Sequence, residues 1–349
     1  MTDRRAGQFD GLQRRGRVRV EPIGAGPVTL HLPLGRAAGR EPGDLVLITP
    51  EDAGWARCGV RVVRLAPGAA RSLRTGDSEM FVLPLAGSAR VEVSRAGSEV
   101  LEATFELAGR ASVFTRVSDF AYLGRDSEVV LSSRHGAEIA LPSARCTTRL
   151  PARYGPAQGV PVDVRGAGAA SRQVTNFGVP GVWDHAEKLM CCELITPGGN
   201  WSSYPPHKHD ASGPCQVVNE EIYLYRIAGA DQVTPSRAGA GFHRTYTGPE
   251  HDAAGLPPVD LFAEVRDLDV VLVPHGYHGP CAAAPGYPMY YLNVLAGPGA
   301  ERSMAFCDDP AHTWTRGTWP ATATDPRVPA TSAAGRVEHS PAGARPPGR

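Results

Sequence analysis

The stretch KLMCCELITPGG at 188–199, followed by EEIYLYRIAG at 220–229, decides the fold of this chain. Each piece is a short run rich in aliphatic and aromatic residues that stops at a Pro-Gly or Ala-Gly turn, a pattern typical of strands joined by tight turns. The first half repeats this order, with CGVRVVRL at 58–65 and EMFVLPLAG at 79–87. The repeat predicts two similar all-β units built from short, evenly spaced strands.

The composition agrees with this architecture. Gly and Pro number 40 and 32 among 349 residues, and both residues are penalised inside helices, so the density favours many turns over long helices. The length allows about two domains. Lys plus Arg and Asp plus Glu are 36 each, and zero net charge removes the electrostatic argument for a nucleic-acid or membrane-surface partner.

Cysteine usage and hydropathy predict the compartment. No apolar run approaches the ~18 residues of a membrane span, and the first residues contain no apolar signal segment. The 7 cysteines form no Cys-x-x-Cys pair, and an odd count without a signal peptide is typical of reduced thiols. We therefore expect a cytoplasmic protein with free cysteines.

Composition shifts along the chain predict the domain limits. One β-unit is expected over 15–150 and a second over 173–315, joined by a linker of small residues and turn formers over 151–172. Residues 320–349 are mainly Pro, Ala, Thr, Gly and Arg with almost no large apolar side chain, which predicts a disordered tail. The sequence thus predicts two tandem units with short connecting segments.

Histidines are concentrated in the second half of the chain. His207 and His209 flank a single residue, so in a strand both imidazoles point to one face. Glu221 begins the next predicted strand, and a histidine-bearing Pro-Gly turn follows at 274–278. Three neutral imidazoles and one carboxylate are suitable ligands for a divalent ion such as Zn²⁺, Mn²⁺ or Fe²⁺.

Two of these ligand positions have competitors. Glu220 competes with Glu221, and Glu221 is preferred because the apolar residues of that strand then gather on the opposite face. His275 competes with His278 in the Pro-Gly turn, and periodicity does not decide between the two. The residue pattern alone therefore predicts a metal site with one ligand left open.

Longer blocks of the chain carry a family resemblance. They are TPGGNWSSYPPHKHD at 196–210, EEIYLY at 220–225, VVLVPHGYH at 270–278 and YYLNVLAGP at 290–298. Together they closely resemble the 5-deoxy-glucuronate isomerases of myo-inositol catabolism, which belong to the cupin superfamily. The resemblance covers roughly residues 15–315 and is stronger in the second half.

The resemblance implies an all-β bicupin, that is, two tandem small β-barrels of jelly-roll type. It implies one metal ion in the second barrel only, held by His207, His209, Glu221 and His278, the last assigned from the P-x-G-x-H spacing. The equivalent stretch of the first half, 67–79, contains no histidine. Zn²⁺ is favoured because it is redox-inert, with Mn²⁺ or Fe²⁺ as alternatives.

The implied reaction is an aldose–ketose isomerisation of 5-deoxy-D-glucuronate to 2-deoxy-5-keto-D-gluconate through an enediol. A bound cation stabilises the enediolate charge, and a general base moves the proton between neighbouring carbons. Tyr223, which shares a strand face with Glu221, and Tyr291 are candidates for the base. Arg244 is a candidate for binding the carboxylate of the anionic sugar-acid substrate.

Two functions of other classes stay open. A cupin dioxygenase would use Fe²⁺ in the same ligand shell and would consume oxygen, whereas a non-catalytic sugar-acid-binding cupin would show no turnover. The sequence contains no helix-turn-helix pattern or basic helix of the kind that a regulatory cupin usually carries. A small-molecule substrate and a homo-oligomer are compatible with these hypotheses, and neither nucleic acid nor a membrane is expected as partner.

Overall fold

The computed structural model describes residues 29–39 and 41–339, and nearly all of its regular structure is β-sheet. Two short helices are present in this part, α1 (Pro50–Ala53) and α2 (Pro249–Ala253), together with 3₁₀ segments at Ala157–Gly159 and Thr313–Ala321. None of the described helices is long and apolar enough to cross a bilayer. The all-β prediction is therefore confirmed.

The strands of the first half begin with one short strand and continue into a compact sheet. They are β1 (His31–Leu32), β2 (Asp44–Ile48), β3 (Cys58–Leu65), β4 (Ala70–Arg74), β5 (Ser78–Arg95), β6 (Leu101–Arg110), β7 (Phe120–Leu123), β8 (Ser127–Ser132), β9 (Ala137–Arg145) and β10 (Arg153–Gly155). The sheet of nine antiparallel strands runs β10-β7-β5-β9-β3-β2, with β4, β6 and β8 branching from it.

The strands of the second half form two large sheets that share one core, and one separate two-stranded sheet. They are β11 (Val162–Arg165), β12 (Arg172–Thr175), β13 (Met190–Thr196), β14 (Trp201–Ser202), β15 (His207–Lys208), β16 (Glu220–Ile227), β17 (Gly241–Tyr246), β18 (Asp260–Val265), β19 (Val270–Val273), β20 (Tyr277–Ala283), β21 (Met289–Ala296), β22 (Cys307–Asp308), β23 (Thr331–Ser332) and β24 (Gly335–Arg336). One large sheet runs β1-β19-β16-β21-β13-β12-β11. The other runs β18-β17-β20-β15-β22, with β14 paired to β20, and β23 pairs with β24 in the two-stranded sheet.

Strand β16 separates two hydrophobic cores. Ile222 and Leu224 pack into the core shared by the two barrels, whereas Tyr223 and Tyr225 pack into the core of the second barrel. All four side chains are buried. Because side chains alternate along a strand, Glu221 lies on the inner face together with the tyrosines.

Reciprocal carboxylate contacts join the two barrels. Glu79, near the start of β5, accepts hydrogen bonds from the backbone N–H groups of residues 187–189 at 2.5–2.8 Å. Glu220, at the start of β16, accepts hydrogen bonds from the backbone N–H groups of residues 56–58 at 2.7–2.9 Å. Glu79 is therefore the counterpart of Glu220, and not of the adjacent Glu221.

The segment predicted as a linker, 151–172, contributes two short strands to the sheets. Within it, β10 pairs with β7 of the first barrel and β11 pairs with β12 of the second. Most of its small residues and turn formers lie in the short connections beside these strands. Strand β1 also crosses between the units, because it pairs with β19. Residues 15–28 of the predicted first unit lie outside the described residues.

The prediction of a disordered tail is wrong for residues 320–339. Thr331 in β23 donates its backbone N–H to the Gln173 side chain at 2.9 Å, and the Gln173 amide donates to the Thr331 hydroxyl at 2.9 Å. Polar contacts of this kind order a segment without large apolar side chains, which composition alone does not reveal. Residues 340–349 lie outside the described residues.

The prediction that all cysteines are reduced also needs correction. Cys215 and Cys307 form a disulfide bond across a sequence separation of 92 residues, while the other five cysteines are free and buried. Such a distant pair leaves no local spacing signal. Since β22 pairs with β15, the disulfide ties the loop before Glu221 to the strand beside His207.

Candidate metal centre

Strands β15, β16 and β20 bring the four predicted ligands together on the inner face of the second barrel. His207 lies opposite His278 in the pairing of β15 with β20, and their ring centroids are 4.5 Å apart. The ring of His209 lies 4.7 Å from that of His278. Glu221 Oε2 lies 2.9 Å from His209 Nε2 and 3.0 Å from His278 Nε2.

The second nitrogen of each imidazole fixes the orientation of its ring. Nδ1 of His207, His209 and His278 lies 3.1, 3.1 and 3.4 Å from a backbone carbonyl oxygen. The carbonyls belong to Pro205, Asn219 and Gly276. A hydrogen bond from Nδ1–H to a carbonyl assigns the tautomer that leaves the Nε2 lone pair free for a metal ion.

The protonation states of His207 and Glu221 fit a divalent cation, whereas burial acts to lower the pKa of His209 but the hydrogen bond to Glu221 outweighs it and raises that pKa. Burial, with a contribution from His278, lowers the pKa of His207 well below its usual value, so the imidazole is neutral. Burial acts to raise the pKa of Glu221, but His278 and His209 outweigh it and keep that pKa below its ordinary value. Neutral imidazoles and an ionised carboxylate are the ligating forms.

One buried nitrogen also lacks a partner among the described protein atoms. His278 Nε2 makes no hydrogen bond, because its 3.0 Å approach to Glu221 is off the hydrogen-bond direction. A buried polar atom without a partner is costly, and a metal ion in this position would satisfy it. On the other side, Asn293 donates its amide to Glu221 Oε1 at 2.6 Å and thereby holds the carboxylate in place.

A cavity of about 870 Å³ opens in front of the ligands. His207, His209, Glu221, Tyr223 and Asn293 contribute to its wall. The volume lies within the range of small-molecule sites. A cation held by the histidines and the carboxylate would therefore be accessible to a small substrate.

The two tyrosines predicted to act as base lie beside this cavity and share a serine. Tyr223 lines the cavity, and its hydroxyl lies 3.2 Å from Ser203 Oγ, which in turn lies 3.0 Å from the Tyr291 hydroxyl. Burial, reinforced by Glu221, raises the pKa of Tyr223 well above its usual value, and burial also raises that of Tyr291. Both hydroxyls keep their protons at neutral pH, which suits a proton donor better than the expected base.

Ser203 is a site residue that the sequence did not indicate. It lines the cavity and has a φ of 48°, in the left-handed region that residues other than glycine rarely adopt. Gly279 packs closely against it, since a Cβ at that position would lie 1.9 Å from the Ser203 carbonyl oxygen. No periodicity marks a serine that follows a two-residue strand, so no signal was available.

Arg244 does not face the cavity, and the prediction that it binds the substrate carboxylate is wrong. In β17 the buried His243 and Thr245 alternate with the half-buried Arg244. The Arg244 guanidinium pairs with the exposed carboxylate of Asp260 on the neighbouring strand. The sequence could not show which of the many arginines points inward, because packing against the rest of the barrel decides which face of β17 is buried.

The two curled sheet systems and the histidine–carboxylate set on an inner face define this chain as a cupin with two barrels. Oxalate decarboxylase from Bacillus subtilis has the same fold, with a TM-score of 0.54 at 12% identity over 83% of this chain and 80% of that chain. That likeness concerns the fold alone. The oxalate decarboxylase of Bacillus subtilis contains Mn(II) centres.

The chain belongs to the KduI/IolB family, whose model matches residues 34–315. It is 37% identical over 278 residues to the 5-deoxy-glucuronate isomerase of Geobacillus kaustophilus, covering 78% of this chain and 91% of that protein. The Bacillus subtilis (strain 168) enzyme of the same name is 33% identical over 257 residues, covering 73% and 86%. An IolB-like protein from Salmonella typhimurium LT2 superposes with a TM-score of 0.70 at 30% identity, covering 82% and 99%. The family resemblance is thus confirmed.

Proposed function

We propose that this protein is a metal-dependent 5-deoxy-glucuronate isomerase, which converts 5-deoxy-D-glucuronate to 2-deoxy-5-keto-D-gluconate. The observation that carries the proposal is the close group of His209, Glu221 and His278, with His207 beside His278. The group lies at a small-molecule cavity in a chain of the KduI/IolB family. The named relatives support the substrate class, and the ligand set supports the dependence on a metal.

The reaction moves hydrogen without a net change of oxidation state. The C–H bond next to the aldehyde breaks, and a proton is delivered to the former aldehyde carbon. A second proton passes from the neighbouring hydroxyl to the former aldehyde oxygen. The enediolate formed between these steps carries negative charge, and a bound divalent ion supplies Lewis-acid stabilisation of that charge.

The hydroxyl groups beside the ligands are suited to hold and return protons at the substrate oxygens. Tyr223 presents its hydroxyl at the cavity and contacts Ser203, which contacts Tyr291. The Tyr291 hydroxyl donates to Ser202 Oγ at 3.0 Å, and Thr196 donates to the same oxygen at 2.9 Å. Such a connected chain fixes the orientation of the Tyr223 hydroxyl.

Tyr223→Phe is expected to lower kcat roughly 100-fold, the usual size of a lost proton-transfer group. Metal content should stay unchanged, because the metal ligands are retained. Steady-state isomerisation rates and metal analysis on the same samples measure both quantities. Tyr225→Phe is the control, since its hydroxyl binds His243 Nδ1 at 2.6 Å inside the barrel core. Equal losses in the two variants would contradict a role for Tyr223 at the cavity.

Zinc is the ion that we propose, because the reaction needs a Lewis acid and no redox change. Manganese and iron stay as alternatives with the same ligand types.

The cytoplasm is the compartment that we propose from the sequence. The bond between Cys215 and Cys307 would then be one of the rare structural disulfides of that compartment. A homo-oligomer stays a prediction.

An anaerobic assay of 5-deoxy-D-glucuronate conversion, with metal measured on the same sample, tests the proposed function. We expect turnover without oxygen, loss of turnover after chelation, and recovery with about one Zn²⁺ per chain. Turnover that requires oxygen would favour the dioxygenase alternative, and binding without turnover would favour the non-catalytic one. Full activity of metal-free protein would overturn the proposal.

A further inference from the structure

A buried guanidinium without a carboxylate partner faces the same cavity. Arg172, the first residue of β12, is 7% exposed and lines the cavity together with the metal ligands. One of its terminal nitrogens donates to the Ala170 carbonyl at 3.1 Å, while its Nε is buried with no hydrogen-bond partner. Over residues 29–39 and 41–339, no Asp or Glu pairs with it within 4.0 Å.

The other arginines of the cavity differ from Arg172 in this respect. Arg316 forms a two-pronged contact with Asp308, with one N–O distance of 2.7 Å. Arg302 lies 3.8 Å from a carboxylate oxygen of Asp184 and also donates to backbone carbonyls at 3.1 and 3.3 Å. Arg165 lies 3.7 Å from a carboxylate oxygen of Asp163, and its side chain is 49% exposed to solvent. Burial lowers the pKa of Arg172 to about 10, so it remains charged at neutral pH. A buried charge without a counter-ion is costly, and an anionic ligand would remove that cost.

The C-terminal segment packs against the Arg172 side chain. The guanidinium carbon of Arg172 lies 5.8 Å from the centroid of the Trp319 ring, and the guanidinium carbon of Arg316 lies 5.1 Å from the same centroid. Both are cation–π contacts. Arg316 and Trp319 line the cavity, yet they follow the region 34–315 that the family model matches. Part of the cavity wall thus comes from outside that region.

We propose that Arg172 binds the carboxylate of the substrate and that Trp319 positions it. A guanidinium offers planar, paired donors that match the two oxygens of a carboxylate, and the unpartnered Nε is one such donor. The identity of the substrate as a sugar acid rests on the proposed function, whereas the preference for an anion rests on the contacts of Arg172. This assignment takes the place of Arg244.

The test compares two sugars that differ in one group, D-glucuronate with a carboxylate and D-glucose with a hydroxymethyl. Calorimetric titration of the zinc-loaded full chain should show tighter binding of D-glucuronate, by roughly 10- to 100-fold, the value of a charge-assisted hydrogen bond. Arg172→Gln should remove this preference and raise the KM for 5-deoxy-D-glucuronate by a similar factor, with metal content unchanged. Arg172→Lys should retain part of the preference.

Two further variants separate binding from positioning. Trp319→Ala should weaken D-glucuronate binding and raise KM by roughly 5- to 10-fold with a smaller change in kcat. The charge of Arg172 remains in this variant, but the aromatic ring that positions the guanidinium is removed. Arg244→Gln is the matched control, and it should leave both measurements unchanged because its partner is Asp260 at the surface. A melting curve and metal content for each variant identify any loss of folding.

The outcomes distinguish this proposal from the proposed function. Unchanged discrimination between the two sugars in Arg172→Gln, or no discrimination in the wild-type protein, would overturn the assignment of Arg172. If Arg172→Gln does not fold, the same criterion applies to Arg172→Lys and Trp319→Ala. A third outcome is a wild-type protein that binds D-glucuronate more tightly than D-glucose yet shows no isomerase activity. If Arg172→Gln then removes that preference, the anion site is supported and the proposed reaction is not.

Discussion

Glu221→Gln should abolish metal binding and lower isomerase activity by at least roughly 1,000-fold, whereas Glu220→Gln, one residue away, should retain both. The two carboxylates lie on opposite faces of β16. Glu221 contacts His209 and His278 at 2.9 and 3.0 Å, while Glu220 accepts backbone hydrogen bonds from the first barrel. Glutamine preserves the size of the side chain but removes its charge, so only the first substitution weakens the attraction for a divalent cation.

The pair of variants provides its own control for folding. Metal bound per chain is measured after gel filtration in metal-free buffer, and activity and melting temperature are measured on the same fractions. Glu220→Gln should melt at a lower temperature than the wild-type protein, because three backbone N–H groups lose a charged acceptor. A wild-type metal content in Glu221→Gln, or a loss of metal in Glu220→Gln, would show that the ligand has been assigned to the wrong carboxylate.

The sequence predicted which side chains meet at the candidate metal centre, because short-range periodicity determines most of their positions. His207 and His209 share a face through the two-residue repeat of a strand. The apolar pattern around Glu221 selected it over Glu220, and the two cores on either side of β16 agree with that choice. His278 required the family resemblance, since the Pro-Gly turn before it interrupts the repeat.

The rest of the site depends on contacts between distant parts of the chain. Arg172 faces the cavity because β12 joins the second barrel and because Trp319 packs against it. Nothing near Arg172 in the sequence distinguishes it from Arg244, which has the same charge and lies in an equally regular strand. The C-terminal segment was predicted to be disordered for the same reason, because its order comes from partners such as Gln173.

The first barrel lacks histidines at the corresponding strands, and its role follows from the contacts that it shares with the second. Glu79 corresponds to Glu220, so the position that corresponds to Glu221 is occupied by Met80 and offers no carboxylate. The first barrel instead supplies backbone donors to Glu220 and receives backbone donors from residues 187–189. Residues 187–189 directly precede β13, a strand of the sheet that carries Glu221.

Glu79→Gln should therefore lower the free energy of unfolding by about 3 kcal/mol without removing the metal site. The Glu79 side chain is fully buried and accepts hydrogen bonds from three backbone N–H groups and from the Tyr122 hydroxyl at 2.7 Å. A glutamine keeps one acceptor oxygen and directs an amide NH₂ at donors that are already buried, so at least one N–H group loses its partner. Urea unfolding of the zinc-loaded protein measures the change, and Tyr122→Phe, which deletes only one of the four contacts, should cost about 1 kcal/mol. An unchanged urea midpoint in Glu79→Gln would mean that the carboxylate contact does not hold the two barrels together.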